Sequence, residues 1–250
     1  MTVLGSAYGA VLFDLDGVLT PTAELHEQAW SALFSPFLAE HGAAPYCRQD
    51  YFAHIDGRPR FEAVALLLAD RGIVLPQGTP EDLAEMSTVC GLGNRKNALF
   101  QAFLAEGIVP YPGSLAFIEQ LERFDTPRAI VSSSRNARPV LTAAGLAKRF
   151  GLVVDELVAA AERLQGKPAP DTYRFAARRL GCDPGECVVV EDALSGVTAG
   201  ARGGFGLVVG VDRGVGADAL RAAGAQVVVR ELDELRAAPA GQGRVTIHVE

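Results

Sequence analysis

From Tyr111 onward, short apolar runs alternate with helical periods, and that alternation leaves few folds open to the chain. Strands are expected over 128–131, near 152–154, and over 186–190, 207–211 and 226–229. Helices are expected between them, over 114–123, 139–144, 171–180, 194–202 and 217–223. Strands separated by single short helices pair in parallel through right-handed crossovers. One more strand stands far upstream, Ala10-Val11-Leu12-Phe13, and almost everything between it and Tyr111 has helical period. Leu25, Ala29, Trp30 and Leu33 share one face of a helix over 22–40, and Phe61, Val64, Ala65, Leu67 and Leu68 repeat the pattern, as do Ala98, Phe103 and Leu104. Pro76-Gln77-Gly78-Thr79-Pro80 breaks this block, with Thr79 placed as an N-cap. The reading is an α/β protein with a Rossmann-like three-layer core and a mainly parallel sheet. Residues 1–20 and 109–238 form that core, a helical cap domain over 21–108 is inserted after its first strand, and 239–250 is a flexible Gly/Pro tail ending in an edge-strand pattern of unreadable role. An insertion at that point is expected to hang over the carboxyl end of the first strand like a lid.

Composition removes several classes of function. The formal net charge is −7, which argues against nucleic acid as a partner because such binding needs a basic stripe. Cys47, Cys90, Cys182 and Cys187 are scattered and contain no Cys-x-x-Cys pair, so they are expected to be reduced thiols without metal. No segment approaches the roughly 18 apolar residues of a membrane span, and the start lacks a basic leader region. The expectation is a soluble, cytoplasmic monomer acting on a small molecule.

Polar clusters stand at or after the strand ends, where open α/β sheets place ligands. Asp14 and Asp16 follow the first strand, Ser132 to Ser134 the second, and Glu191-Asp192 a later one, with Lys167 in Gly-Lys-Pro-Ala-Pro-Asp. Each has an ordinary alternative taken singly: Asp16-Gly17 as a turn, the serines as a polar turn, Lys167 as a solvated loop residue, Glu191-Asp192 as a helix cap. Together they make an oxygen-rich pocket with one lysine. Crowded carboxylates need a cation or a shared proton, and hard oxygen ligands suit Mg²⁺. A carboxylate nucleophile can carry a phosphoryl group, while cations and hydroxyls neutralise its charge.

In these four clusters the chain resembles the haloacid dehalogenase superfamily of phosphotransferases: Asp14-x-Asp16-Gly-x-x-Thr20, Ser132 after an apolar strand, Lys167-Pro168, and Glu191-Asp192. The resemblance implies Asp14 as nucleophile and magnesium ligand. Asp16 would be the general acid/base, with its main-chain carbonyl on the metal. Ser132 and Lys167 would bind the transferring phosphoryl, Asp192 the metal, and Glu191 would lie on the metal or just behind it. The inserted block resembles the cap of the β-phosphoglucomutase branch, in Thr22, His26 and Trp30 at four-residue intervals, Gly57-Arg58-Pro59-Arg60, and Arg95-Lys96-Asn97. That resemblance implies catalytic roles for Thr22 and His26 and substrate contacts by Trp30, Gly57, Arg60, Lys96, Ser134, Arg135 and Asn136. Spacings from His26 to Arg60 and from Arg60 to Lys96 are longer than is usual there. The expected reaction is interconversion of β-glucose 1-phosphate and glucose 6-phosphate through an aspartyl phosphate and a 1,6-bisphosphate, with a sugar-phosphate phosphatase as the alternative.

Overall fold

The computed structural model describes residues 2–55 and 58–249, by backbone alone at 2–6 and 52. The chain divides into two compact units, Met1–Pro21 with Ile108–Glu250, and Thr22–Gly107. It runs through β1 (Thr2–Tyr8) and β2 (Ala10–Phe13) before entering the second unit. There it forms α1 (Thr22–Glu40), the single turn α2 (Arg48–Asp50), α3 (Arg60–Asp70) and α4 (Val89–Ala105). Back in the first unit it continues through α5 (Pro112–Arg123), β3 (Arg128–Val131), α6 (Ala137–Ala143), β4 (Leu152–Val154), α7 (Glu156–Ala161) and α8 (Asp171–Arg179). The remaining elements are β5 (Cys187–Glu191), α9 (Leu194–Gly203), β6 (Leu207–Val211), α10 (Ala217–Ala223), β7 (Val227–Val229), β8 (Leu235–Gly241) and β9 (Arg244–Val249).

The main sheet is six-stranded and parallel in the order β4-β3-β2-β5-β6-β7. The chain builds outward from β2 through β3 and β4, then crosses to β5 on the other side. The order therefore reverses between β2 and β5, and the two strands leave a crevice beyond their carboxyl ends. Every residue of β2, β5 and β6 is buried, as continuous apolar runs in a sheet covered on both faces should be. Ala10 and Leu12 join Tyr173, Val189 and Val197 in one core layer, while Phe13 on the opposite face meets Phe117 of α5 edge-on at 6.1 Å. Alternate residues of a strand point to opposite faces, so both layers grip β2, the strand that presents Asp14.

A second sheet, antiparallel in the order β1-β9-β8, bears out a strand at 244–249 but makes it central rather than an edge, and corrects the reading of the Gly/Pro segment before it as flexible. Pro239 to Gly241 belong to β8, and Gln242 and Gly243 both have positive φ (53° and 71°) in a two-residue hairpin that brings Gly241 opposite Arg244. Val245 and Ile247 are fully buried on the inner face of β9. Gln-Gly is a weak form of the Asn-Gly hairpin signal, which is why the turn read as a linker.

The helical unit has its own core, built from Trp30, Phe34 and Leu38 of α1, Val64, Leu67 and Leu68 of α3, and Leu92 of α4. No strand occurs among its described residues. Thr79 does not cap a helix. It opens a turn closed by Asp82, and the cap of α4 is Thr88, whose side chain accepts from the Gly91 amide at 2.9 Å. Among the described residues, no helix is long and apolar enough to cross a membrane.

Candidate active site

Asp14 is the first residue beyond β2, and its amide still donates to Val190 of β5 at 2.9 Å, which fixes it at the mouth of the crevice. The chain then turns sharply. Gly17 has φ of +78°, its amide donates to Thr20 O at 2.9 Å, and Asp16 forms a bridge with Thr20. A Cβ on Gly17 would stand 2.0 Å from Asp192 Oδ2, so both the backbone sign and the close approach of that carboxylate require glycine.

The Lys167 ammonium, buried here, donates all three of its hydrogens: to Asp14 Oδ1 at 2.5 Å, Glu191 Oε1 at 2.6 Å and Val131 O at 2.9 Å. Glu191 is 1% exposed and has both oxygens engaged. Tyr173 donates to Oε1 at 3.0 Å, and the amides of Asp192 and Ala193 donate to Oε2 at 3.1 Å each. Ser132 Oγ donates to Asp16 Oδ2 at 3.5 Å and accepts from the Ser134 amide at 3.1 Å, while Ser134 Oγ accepts from the Asn136 amide at 3.0 Å. Asp14, Asp16, Ser132, Lys167, Glu191 and Asp192 thus meet at one edge of the sheet. Arg135 instead pairs with Glu156 at the exposed surface, at 3.0 Å.

The electrostatics of this cluster are short of positive charge. Burial pushes the Asp14 carboxyl up to about 8; Glu191 and Asp16 add to the rise and Lys167 opposes it. Burial, then Glu191 and Asp14, likewise raise Asp192 well above the usual carboxylate range. Burial works against the Lys167 ammonium, but Asp14 and Glu191 outweigh it and hold the proton more tightly than usual. Carboxylate oxygens of Asp14, Glu191 and Asp192 lie within 4.8 Å of one another. Three hard oxygen donors crowded this closely fit a divalent ion such as Mg²⁺. Asp14 and Asp192 would hold it, and Glu191, whose oxygens are already taken, would stand behind them.

In the helical unit, Lys96 is 4% exposed and its ammonium lies 2.5 Å from His26 Nδ1. His26 stacks on Phe100 at 4.2 Å, and Trp30 is buried in that unit's core with its ring 4.9 Å from Lys96 Nζ. Burial first, and the Lys96 charge second, lower the His26 pKa to about 3. The imidazole is therefore neutral at physiological pH, accepting at Nδ1 and carrying its hydrogen on Nε2. Thr22 is buried at the first turn of α1. Arg60, at the first turn of α3, donates to Asn94 Oδ1 at 3.0 Å, and Asn94 in turn donates to Pro80 O and Asp82 O at 3.0 and 2.8 Å. Gly57 lies outside the described residues.

Sequence reasoning missed Tyr173, Asn94 and Gly196. A Cβ on Gly196 would stand 1.6 Å from Glu191 Oε1, inside the carboxylate. Glycine one turn into a helix is unfavourable by propensity, and that was the available signal for a close approach. Gly196→Ala is expected to displace Glu191 and unseat Lys167, destabilising the protein by about 1–3 kcal/mol as an overpacked site does. Urea unfolding beside a rate measurement checks this; unchanged stability and rate would contradict it.

A buried carboxylate at a strand end, an adjacent acid, one buried lysine and a cation-ready acidic set form an arrangement chemically able to support attack of a carboxylate on phosphorus. Residues 8–204 match the haloacid dehalogenase-like hydrolase family, and the chain belongs to it. It is 44% identical over 237 residues to the β-phosphoglucomutase of Mycobacterium bovis, covering 90% of each chain. It is also 34% identical over 194 residues to hexitol phosphatase A of Escherichia coli, covering 77% of this chain and 78% of that one. The crystal structure of β-phosphoglucomutase from Clostridium difficile shares the fold, with a TM-score of 0.68 and 24% identity over 92% of this chain and 93% of that one.

Proposed function

We propose that the protein is a β-phosphoglucomutase, interconverting β-D-glucose 1-phosphate and glucose 6-phosphate through a phosphorylated Asp14 and a glucose 1,6-bisphosphate. Asp14 attacks the phosphorus while Asp16 gives its proton to the departing sugar oxygen. In the return step Asp16 takes the proton of the second hydroxyl, which attacks the aspartyl phosphate. Ser132 and Lys167 hold the phosphoryl oxygens, and Lys167 also keeps Asp14 aimed. Magnesium, when bound, supplies the positive charge this cluster lacks and offsets the charge on the phosphoryl group. Ser134 and Asn136 belong to the loop read as touching sugar and distal phosphate.

The observation that carries the mutase reading is the 44% identity to a β-phosphoglucomutase, over 90% of each chain. Lys96, 4% exposed with its ammonium 2.5 Å from His26 Nδ1, and Arg60 supply cations suited to the second phosphate of a bisphosphate, which simple hydrolysis does not require. In this reading Arg60 and Lys96 grip the phosphate not being transferred, His26 keeps Lys96 oriented, and Thr22 and Trp30 support that end of α1. The likeness to hexitol phosphatase A favours the second reading, a Mg²⁺-dependent sugar-phosphate phosphatase in which water is the acceptor.

The two readings separate on priming. A mutase needs catalytic glucose 1,6-bisphosphate for turnover, whereas a phosphatase runs without it. Arg60→Ala and Lys96→Ala are each expected to lose about 30- to several-thousand-fold in primed mutase turnover, as truncating a partner of a buried charged contact costs about 2–5 kcal/mol. Slow hydrolysis of small phosphoesters should persist. Mutase turnover unchanged in both variants would remove these cations from the site.

A further inference from the structure

Arg213, two residues beyond β6, is linked to the loop that carries Asp16. Its Nε donates to the carbonyl of Gly17 at 2.8 Å. The other end of the guanidinium is engaged through both nitrogens: Nη1 and Nη2 donate to the two oxygens of Glu231 at 2.5 and 3.2 Å, and Nη1 also to Arg230 O at 3.1 Å. Its plane lies over the ring of Tyr111, 3.8 Å from the centroid. Tyr111 is itself bound to the same loop, since its amide donates to Leu19 O at 3.0 Å, and Ser114 Oγ donates to Val18 O at 2.7 Å. Three consecutive carbonyls of the Asp16 loop, those of Gly17, Val18 and Leu19, are thus held from outside by Arg213, Ser114 and Tyr111.

Of the three, only the Gly17 carbonyl is held by a charged side chain, and Gly17 directly follows Asp16 in the chain. It is also the residue with positive φ, pressed against Asp192. The two peptide planes that meet at a left-handed glycine swing easily about it unless each is fixed. The Asp16–Gly17 plane is fixed at the Gly17 amide by Thr20, and the Gly17–Val18 plane at the Gly17 carbonyl by Arg213. A fork bound at three points and stacked on a ring has little freedom left to lose, so it sets the carbonyl direction firmly.

We propose that Arg213 is a positioning residue for proton transfer. By fixing the Gly17 carbonyl it sets the direction of the Asp16 carboxyl, and so governs the step in which Asp16 protonates the leaving oxygen. The inference rests on the reading of Asp16 as the acid/base, and is indifferent to whether the acceptor is a sugar or water. In that step the Asp14 oxygen–phosphorus bond forms and the phosphorus–leaving-oxygen bond breaks. The bonding pair goes to the leaving oxygen, and the Asp16 proton follows it there.

The test compares two phosphoryl donors in single turnover, reading phosphorylation of Asp14 by rapid quench and intact mass. Phenyl phosphate releases an oxygen that needs a proton; acetyl phosphate releases acetate, which does not. In Arg213→Ala the ratio of acetyl to phenyl rates is expected to rise about tenfold or more. In Asp16→Asn, run beside it, the ratio should rise about a hundredfold, the scale of general-acid catalysis. Arg213→Lys keeps the charge and the aliphatic stem but cannot serve Gly17 and Glu231 together, so its ratio should fall between wild type and Arg213→Ala. It carries the comparison if the alanine variant does not fold. Both rates falling equally in the Arg213 variants would show a merely structural role and overturn the proposal, as would a ratio unchanged there while Asp16→Asn shifts. A ratio unchanged in Asp16→Asn as well would remove Asp16 as the acid, and the proposal with it.

Discussion

Asp14→Asn is expected to eliminate turnover while leaving the fold intact. The amide retains an oxygen for the 2.5 Å contact with Lys167, so the geometry of the cluster survives. The nucleophile does not, since a neutral carboxamide cannot form the acyl phosphate, and loss of a nucleophile costs roughly 10⁴-fold or more. The same change removes one carboxylate from a group crowded enough to lift Asp14 to about 8. Without added cation, the variant should therefore be at least as stable as wild type. With Mg²⁺ the order should narrow or reverse, because one of the three clustered donors has become a weaker ligand. Thermal melts with and without Mg²⁺, run beside the rate, check both halves. Residual turnover within about tenfold of wild type would place the nucleophile elsewhere.

Lys167→Ala should have the opposite profile, with catalysis and stability failing together. Its ammonium faces two carboxylates and a carbonyl from a position 6% exposed, so truncation leaves Asp14 and Glu191 buried without a counter-charge. Breaking a buried pair from one side costs about 3–5 kcal/mol. Tyr173 and two amides still satisfy Glu191, so the larger share of the penalty falls on Asp14, which loses the neighbour that lowers its pKa. Mg²⁺ bound by the remaining carboxylates should restore part of the stability and little of the rate, since no ammonium then meets the phosphoryl oxygens. Denaturant titrations at several Mg²⁺ concentrations measure this. A loss below about 1 kcal/mol in metal-free buffer would show that the pair is not electrostatically important.

Much of the core was legible because its chemistry sits where β-strands end. Apolar runs bounded by Asp14, Ser132 and Glu191 declare both a buried strand and a polar terminus, and the parallel sheet then gathers those termini at one edge. The residues that hold the cluster in place were not legible. Tyr173 looks like any core aromatic on α8, and its role depends on α8 packing so that the hydroxyl reaches Glu191. Arg213 looks like a loop arginine, and its partner Gly17 lies 196 positions away. The strand pattern of β9 was legible but the second sheet was not, for a related reason: β1 and β9 come from the two ends of the chain, and neither shows what it pairs with. In the helical unit the pattern gave the helices but not their caps, since Thr79 and Thr88 are chemically alike and the folded chain uses the second.

The most direct test is ³¹P NMR of the purified protein with Mg²⁺, β-glucose 1-phosphate and a trace of glucose 1,6-bisphosphate. Conversion to glucose 6-phosphate, dependent on the bisphosphate and with little inorganic phosphate released, is the predicted result. Release of inorganic phosphate alone, with or without the bisphosphate, would contradict the mutase reading and make the protein a sugar-phosphate phosphatase.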